Sequence, residues 1–189
     1  MRTYRHHATP VSIIVAVDSD GGFGKEGKIP WNIPEDMKHF RETTKGGVCI
    51  MGRRTYSDML RMWEERQAKK TNAVATEPKQ ILPNRESFVV TSNPNFNCPG
   101  ATAIGGITQA IQACPADDTR EIFVVGGYRM FVEALSRTNK IHMTIIKGDS
   151  YGCNVKFPIH VLNKHYQIVD GTETDKCYFV TYRPIMRRR

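Results

Sequence analysis

The sequence predicts an α/β domain, on three observations. Short apolar runs rich in β-branched residues recur along the chain, at 12–17, 48–51, 87–90, 121–125 and 141–146, with a more alternating run at 177–183. Runs of this kind suit strands covered on both faces, as in a parallel sheet. Stretches of helical spacing lie between them, the pattern of an α/β fold. The chain also has 189 residues, 40% apolar and 24% charged, a globular balance and about one domain at ~150 residues each.

The elements follow in order. The run at 11–17 comes after a segment holding Arg2, Arg5, His6 and His7. Basic residues before an apolar run resemble a secretion signal. This run ends in Asp18-Ser19-Asp20 with no small-residue cleavage site, and reads as a buried strand. The first helix starts at Pro34, where a missing N–H costs nothing. Glu35 and Asp36 in its first turn suit the helix dipole, and Gly46-Gly47 ends it. Met37 and Phe40 share a face, with Asp36 on its edge. A second helix starts near Arg53 and runs past Trp63, with Met59, Met62, Trp63 and Arg66 at helical spacing. Residues 67–80 are polar and read as an exposed loop or frayed helix end. A third helix covers 108–113, and a fourth follows Gly126-Gly127 to about Leu135.

Composition narrows the function classes. No apolar run approaches the ~20 residues of a membrane span. The formal charge of +8 favours polyanionic ligands. The cations are spread along the chain except for Arg187-Arg188-Arg189, which disfavours nucleic acid as the partner. The five cysteines include no Cys-x-x-Cys, and the six histidines form no His/Cys cluster. Reduced thiols in a cytoplasm are expected, with no disulfide scaffold and no metal.

Three constellations point to chemistry. Four glycines stand between Gly21 and Gly27, just before Trp31 and the acid-bearing helix. A glycine-rich loop there suits a lid over a site. Asp36 has two open roles at this point, helix-dipole charge or site acid. Two strand-to-helix turns, Met51-Gly52-Arg53-Arg54-Thr55 and Val125-Gly126-Gly127-Tyr128-Arg129, offer free N–H groups and arginines to phosphate. Two such turns in one domain suggest a ligand with several phosphates, although Gly-x-Gly-x-x-Gly is absent.

The stretch Ile29-Pro30-Trp31-Asn32-Ile33-Pro34-Glu35-Asp36-Met37-Lys38-His39-Phe40 strongly resembles dihydrofolate reductases. So do Val48-Cys49-Ile50-Met51-Gly52-Arg53-Arg54-Thr55-Tyr56, Leu82-Pro83-Asn84-Arg85, Val89-Val90-Thr91-Ser92 and Ile122-Phe123-Val124-Val125-Gly126-Gly127, in that order. Thr144 and Phe157-Pro158 complete the series. The resemblance spans nearly the whole chain except Leu60 to about Gln80.

That resemblance implies a single domain over 11–184 with a mostly parallel eight-stranded sheet flanked by helices. It leaves a short extension at 1–10, an insertion at about 60–80 and a basic tail at 185–189. No thymidylate synthase domain is expected after the last strand. The implied reaction is NADPH-dependent reduction of 7,8-dihydrofolate to tetrahydrofolate, in a cytoplasmic monomer that antifolates would inhibit. A non-catalytic folate-binding homologue is the alternative. A pterin or pyrimidinone reductase of the same fold is the nearest rival enzyme, and Arg85 argues against it.

Residue roles carry over one by one. Asp36 matches the acid that binds the pterin 2-amino group and N3. Thr144 supports it, and Trp31 positions a water beside it. Ile14, Val15 and Val125 match backbone and wall positions around the pterin. Met37, Phe40, Met59 and Leu82 match the pocket for the ring and the benzoyl group, and Arg85 the grip on the glutamate α-carboxylate. On the cofactor side, Ala16 and Ile29 match nicotinamide contacts, beneath a lid that includes Gly22, Phe23, Gly24, Lys25 and Lys28. Arg54 and Thr55 match the pyrophosphate site, and Arg53, Thr91 and Ser92 the adenosine ribose and its 2′-phosphate. Gly126, Gly127, Tyr128, Arg129, Met130 and Phe131 form the second phosphate turn and its helix, with a cis peptide at Gly126-Gly127. Two departures stand out: Phe131 replaces a common Tyr, and Asn154 an Asp that often holds the lid closed.

Overall fold

A computed structural model describes residues 10–69, 80–115 and 118–185. The strands are β1 (Val11–Val17), β2 (Gly22–Gly24), β3 (Val48–Gly52), β4 (Glu86–Val90), β5 (Thr102–Ile104), β6 (Ile122–Gly126), β7 (Lys140–Ile146), β8 (Val155–Lys156), β9 (Tyr166–Glu173) and β10 (Cys177–Pro184). The helices are α1 (Pro34–Thr43), α2 (Arg53–Ala68), α3 (Ile107–Ala113), α4 (Tyr128–Leu135) and α5 (Ile159–His165). Eight strands form one sheet in the order β5-β4-β3-β6-β1-β7-β10-β9, and β2 pairs with β8 apart from it. All pairings from β5 to β7 are parallel, and β10 runs antiparallel to both β7 and β9. The expected mostly parallel eight-stranded sheet is therefore present.

The apolar runs are continuous because both faces are covered. Ile13, Val15, Val48, Ile50, Ile122 and Val124 pack on one face with Ile107, Ala110, Phe131 and Ala134 of α3 and α4. Their neighbours Ile14, Cys49, Met51, Phe123 and Val125 pack on the other with Phe40 of α1 and Tyr56 and Met59 of α2. Successive side chains alternate across a sheet, so a strand between two helical layers is apolar at every position. All five cysteines are buried and free.

Five elements escaped the pattern reading: β2, β5, β8, β9 and α5. In β9 only Tyr166 is buried; Ile168 and Val169 are exposed among polar residues, so no unbroken or alternating apolar run marks the strand. Its strand state comes from pairing with β10 at the sheet edge. One other, β2, lies where a loop was expected. Gly22 pairs with Lys156 and Gly24 with Val155, so part of the glycine segment is held as strand. Within the expected insertion, 60–68 continues α2 and 70–79 lies outside the described residues, as do 1–9 and 186–189. Among the described residues, no helix is long and apolar enough to cross a membrane.

Candidate active site

The carboxyl ends of β3 and β6 lie side by side, with Met51 opposite Gly126. The helices that follow them lead to opposite edges of the sheet, α2 toward β4 and α4 toward β7. Open α/β sheets bind ligands in the crevice at such a reversal. Neither α2 nor α4 has a side-chain cap, so their first N–H groups stay free for a ligand. Gly126 is glycine for its backbone, with φ at 131°, and Gly127 for a tight approach. A Cβ on Gly127 would stand 3.3 Å from Thr55 Oγ1, and one on Gly126 3.5 Å from the same side chain. Arg53, Arg54 and Arg129 are exposed around this cradle. Thr91 and Ser92 follow β4, and the Thr91 hydroxyl accepts from the Asn93 N–H at 3.1 Å.

Asp36 stands in the first turn of α1. Its side chain is buried, and the Trp31 indole N–H donates to its Oδ2 at 3.4 Å. Burial pushes the Asp36 carboxyl above its ordinary value, while hydrogen bonds from Thr144 and Trp31 pull against that rise. Thr144 is itself buried on β7 and paired with Ala16 of β1, so the half-exposed Ala16 lies level with the acid. Among the described residues no cation pairs with Asp36, and a buried carboxylate with neutral donors suits a cationic or amino-bearing partner.

Ile14, Val125, Phe40, Met59 and Leu82 gather in one apolar cluster beside this acid-bearing helix, joined by Leu60, Ile81 and Phe96. Met37 is half-buried and outside it. Val15 turns its side chain to the opposite face, which leaves only its backbone toward the crevice. Arg85 is docked on the C-terminal end of α1. Its Nε donates to Thr44 Oγ1 at 2.8 Å, Nη1 to the Pro83 carbonyl at 2.6 Å and Nη2 to the Arg41 carbonyl at 2.5 Å. Such bonds fix the fork at a helix end whose dipole favours cations.

The lid is seated against 150–157. Asn154 N–H donates to the Gly24 carbonyl at 3.0 Å, Phe157 N–H to Gly21 at 2.8 Å, and Lys25 Nζ to the Tyr151 carbonyl at 3.1 Å. Phe23 packs edge-on to Phe131 at 5.3 Å, and Phe131 to Phe157 at 5.4 Å. Met130 is buried behind Gly52. Lys28 is exposed, and Ile29 is 53% exposed, apolar surface that the chain itself leaves uncovered. Tyr128 is exposed and lines the groove between α4 and α5. Sequence reasoning missed Asp18, whose carboxylate accepts from the Gly22 N–H at 2.7 Å. The available signal was an Asp ending a strand before Gly-Gly, since such residues bond the backbone two residues on, as Asp20 N–H does here at 3.1 Å.

The family model described as dihydrofolate reductase matches residues 10–78 and 69–184. The chain belongs to the dihydrofolate reductase family. Among its relatives, the dihydrofolate reductase type 3 of Salmonella typhimurium is 27% identical over 177 residues, 90% of this chain and 96% of the relative. The dihydrofolate reductase of Bacillus subtilis is 28% identical over 142 residues, 75% of this chain and 72% of the relative. The Enterococcus faecalis dihydrofolate reductase, solved with NADP(H) and RAB-propyl, superposes with a TM-score of 0.71 at 24% identity. It covers 94% of this chain and 97% of its own. At that identity the superposition speaks for the dihydrofolate reductase fold.

Proposed function

We propose that this protein reduces 7,8-dihydrofolate to 5,6,7,8-tetrahydrofolate with NADPH. The observation that carries the reading is the buried Asp36 carboxyl, held by Trp31 and Thr144 on a helix whose Phe40 packs in the same apolar cluster as Met51 and Val125 of β3 and β6. The reaction adds a hydride at C6 and a proton at N5 of the pterin. NADPH supplies the hydride when bound. The cradle fits it: the α2 start with Arg54 and Thr55 and the α4 start with Gly126, Gly127 and Arg129 would hold the pyrophosphate. Arg53, Thr91 and Ser92 would hold the 2′-phosphate, which favours NADPH over NADH. Ala16 and the exposed Ile29 would cover the nicotinamide.

Asp36 orients the pterin by accepting from its 2-amino group and N3 together, and its negative charge favours protonation at N5. Water delivers that proton, since the acid lies at the far edge of the ring. Ile14, Phe40, Met59, Leu82 and Val125 exclude water from the ring and benzoyl group, and Arg85 offers its fork to the glutamate tail. The buried thiols suit a reducing cytoplasm, and the active form is read as a monomer. Purified protein should oxidise NADPH only when dihydrofolate is added, and an antifolate should stop it. No substrate-dependent oxidation would overturn the reading.

A further inference from the structure

The two carboxylate oxygens of Asp18 serve two different segments. Oδ1 accepts from Gly22 N–H at 2.7 Å and Asp20 N–H at 3.1 Å, on the lid side. Oδ2 accepts from Tyr151 N–H at 3.1 Å and Ser150 Oγ at 3.4 Å, on the opposing segment. The carboxylate is 1% exposed, and all these donors are neutral. The Cys153 thiol adds another. A carboxylate is acceptor-only, so each oxygen can take two donors at once. The second contact matters for the site. Tyr151 packs its ring edge-on to Trp31, centroids 5.3 Å apart at 63°, and Trp31 holds Asp36.

We infer that Asp18 is a positioning residue that couples lid seating to Asp36, through the Tyr151 backbone, the Tyr151 ring and the Trp31 indole. Asp18 touches neither substrate nor cofactor. It sets where Gly22–Gly24 lies relative to 150–153, and Tyr151 passes that placement to the indole that orients the acid. The charged acceptor at the lid junction thus directly follows β1, while Asn154 contributes its backbone N–H. The inference rests on the reductase reading for its kinetic arm alone.

Replacing Asp18 by Asn swaps one oxygen for an NH2 that cannot accept, so one of the two segments must lose its bonds. In a Trp63→Phe background Trp31 is the sole indole. There, Asp18→Asn should shift Trp31 emission to the red in the ligand-free protein and speed amide exchange at 22–24 and 150–157. It should lower kcat/KM for dihydrofolate roughly tenfold. Tyr151→Leu keeps the backbone bond, so it should leave that exchange slow while giving the same emission shift and rate loss. The double variant should be no worse than the worse single one, as expected of residues on one path. Asp18→Asn that lowers Tm but leaves Trp31 emission and kcat/KM as in the parent would overturn the coupling. So would Tyr151→Leu with parental emission and rate, and this arm decides alone if Asp18→Asn does not fold. A parent protein without dihydrofolate-dependent turnover fails the reductase reading instead, and the emission and exchange arms still test the coupling.

Discussion

The Trp31 indole N–H donates to Asp36 Oδ2 across 3.4 Å, and both side chains are buried. A charge placed there is costly to the fold and useful to the pocket. Burial raises the Asp36 pKa above its unfolded value of 3.8. A raised folded pKa contributes stability that is full below the unfolded pKa and lost as pH rises through the folded one. Asp36→Asn should therefore raise Tm at pH 7, with the gain shrinking as pH falls toward 3.8. The same variant should lose roughly a hundredfold or more of turnover at neutral pH. Thermal melts across pH and NADPH-oxidation rates check both halves; a variant with normal turnover would remove Asp36 from the reaction.

Arg85 holds α1 through a fork that lysine cannot copy, since a single ammonium cannot reach Thr44 Oγ1 and the Pro83 and Arg41 carbonyls in that geometry. Arg85→Lys should raise KM for dihydrofolate roughly tenfold. It should leave KM for NADPH unmoved. Steady-state kinetics with each substrate varied in turn separate the two, and an unchanged dihydrofolate KM would take the glutamate grip away from Arg85.

Gly22 has no room for a side chain. A Cβ there would stand 2.3 Å from Cys153 Cβ and 3.0 Å from Asp18 Oδ1. Gly22→Ala should unseat β2 from β8 without unfolding the sheet, visible as faster exchange at 22–24 and weaker NADPH retention. Cys153→Gly removes the opposing Cβ and should restore both in the double variant. Failure of that rescue would place the defect elsewhere than in this contact.

At the far end of the sheet, Glu121 is held at a pKa of about 2 by the His142 imidazole beside it, with burial opposing and the Ser12 hydroxyl and Lys140 ammonium adding to the fall. His142 Nε2 stands 3.9 Å from Glu121 Oε1, ion-pair range rather than hydrogen-bond range, and Lys140 Nζ 3.2 Å. A depressed carboxylate contributes stability above its unfolded pKa of 4.5, lost as pH falls through about 2. The site is partly solvated, so Glu121→Gln should cost roughly 1–2 kcal/mol at pH 7 after screening. Denaturant titrations at pH 7 and pH 2 should show that cost at the first and little at the second.

Much of the fold was legible because the two-sided burial of β1, β3, β4 and β6 writes itself as unbroken apolar runs. Pro34, Glu35 and Asp36 announced α1 through the chemistry of a helix start, and Gly126-Gly127 announced α4. β9 was illegible because an exposed edge strand takes its state from its partner, β10. The short strands β2 and β8 were hidden for the same reason, since neither has a core face of its own. The ordered motifs named the residues expected at the site as well. What they lacked was any sign that Val15 faces away from the crevice or that Tyr128 lines the α4–α5 groove. Side-chain direction of that kind follows from where a strand or helix sits.

The layered α/β class, an acid in the first turn of α1 and the family are written in the chain, because each is local or an ordered set of local patterns. It took the folded arrangement to bring Asp18 to Tyr151, 133 residues away, and to set Tyr151 against Trp31 and Trp31 against Asp36. A buried carboxylate must find donors wherever the fold brings them, and no spacing along the chain records which ones arrive.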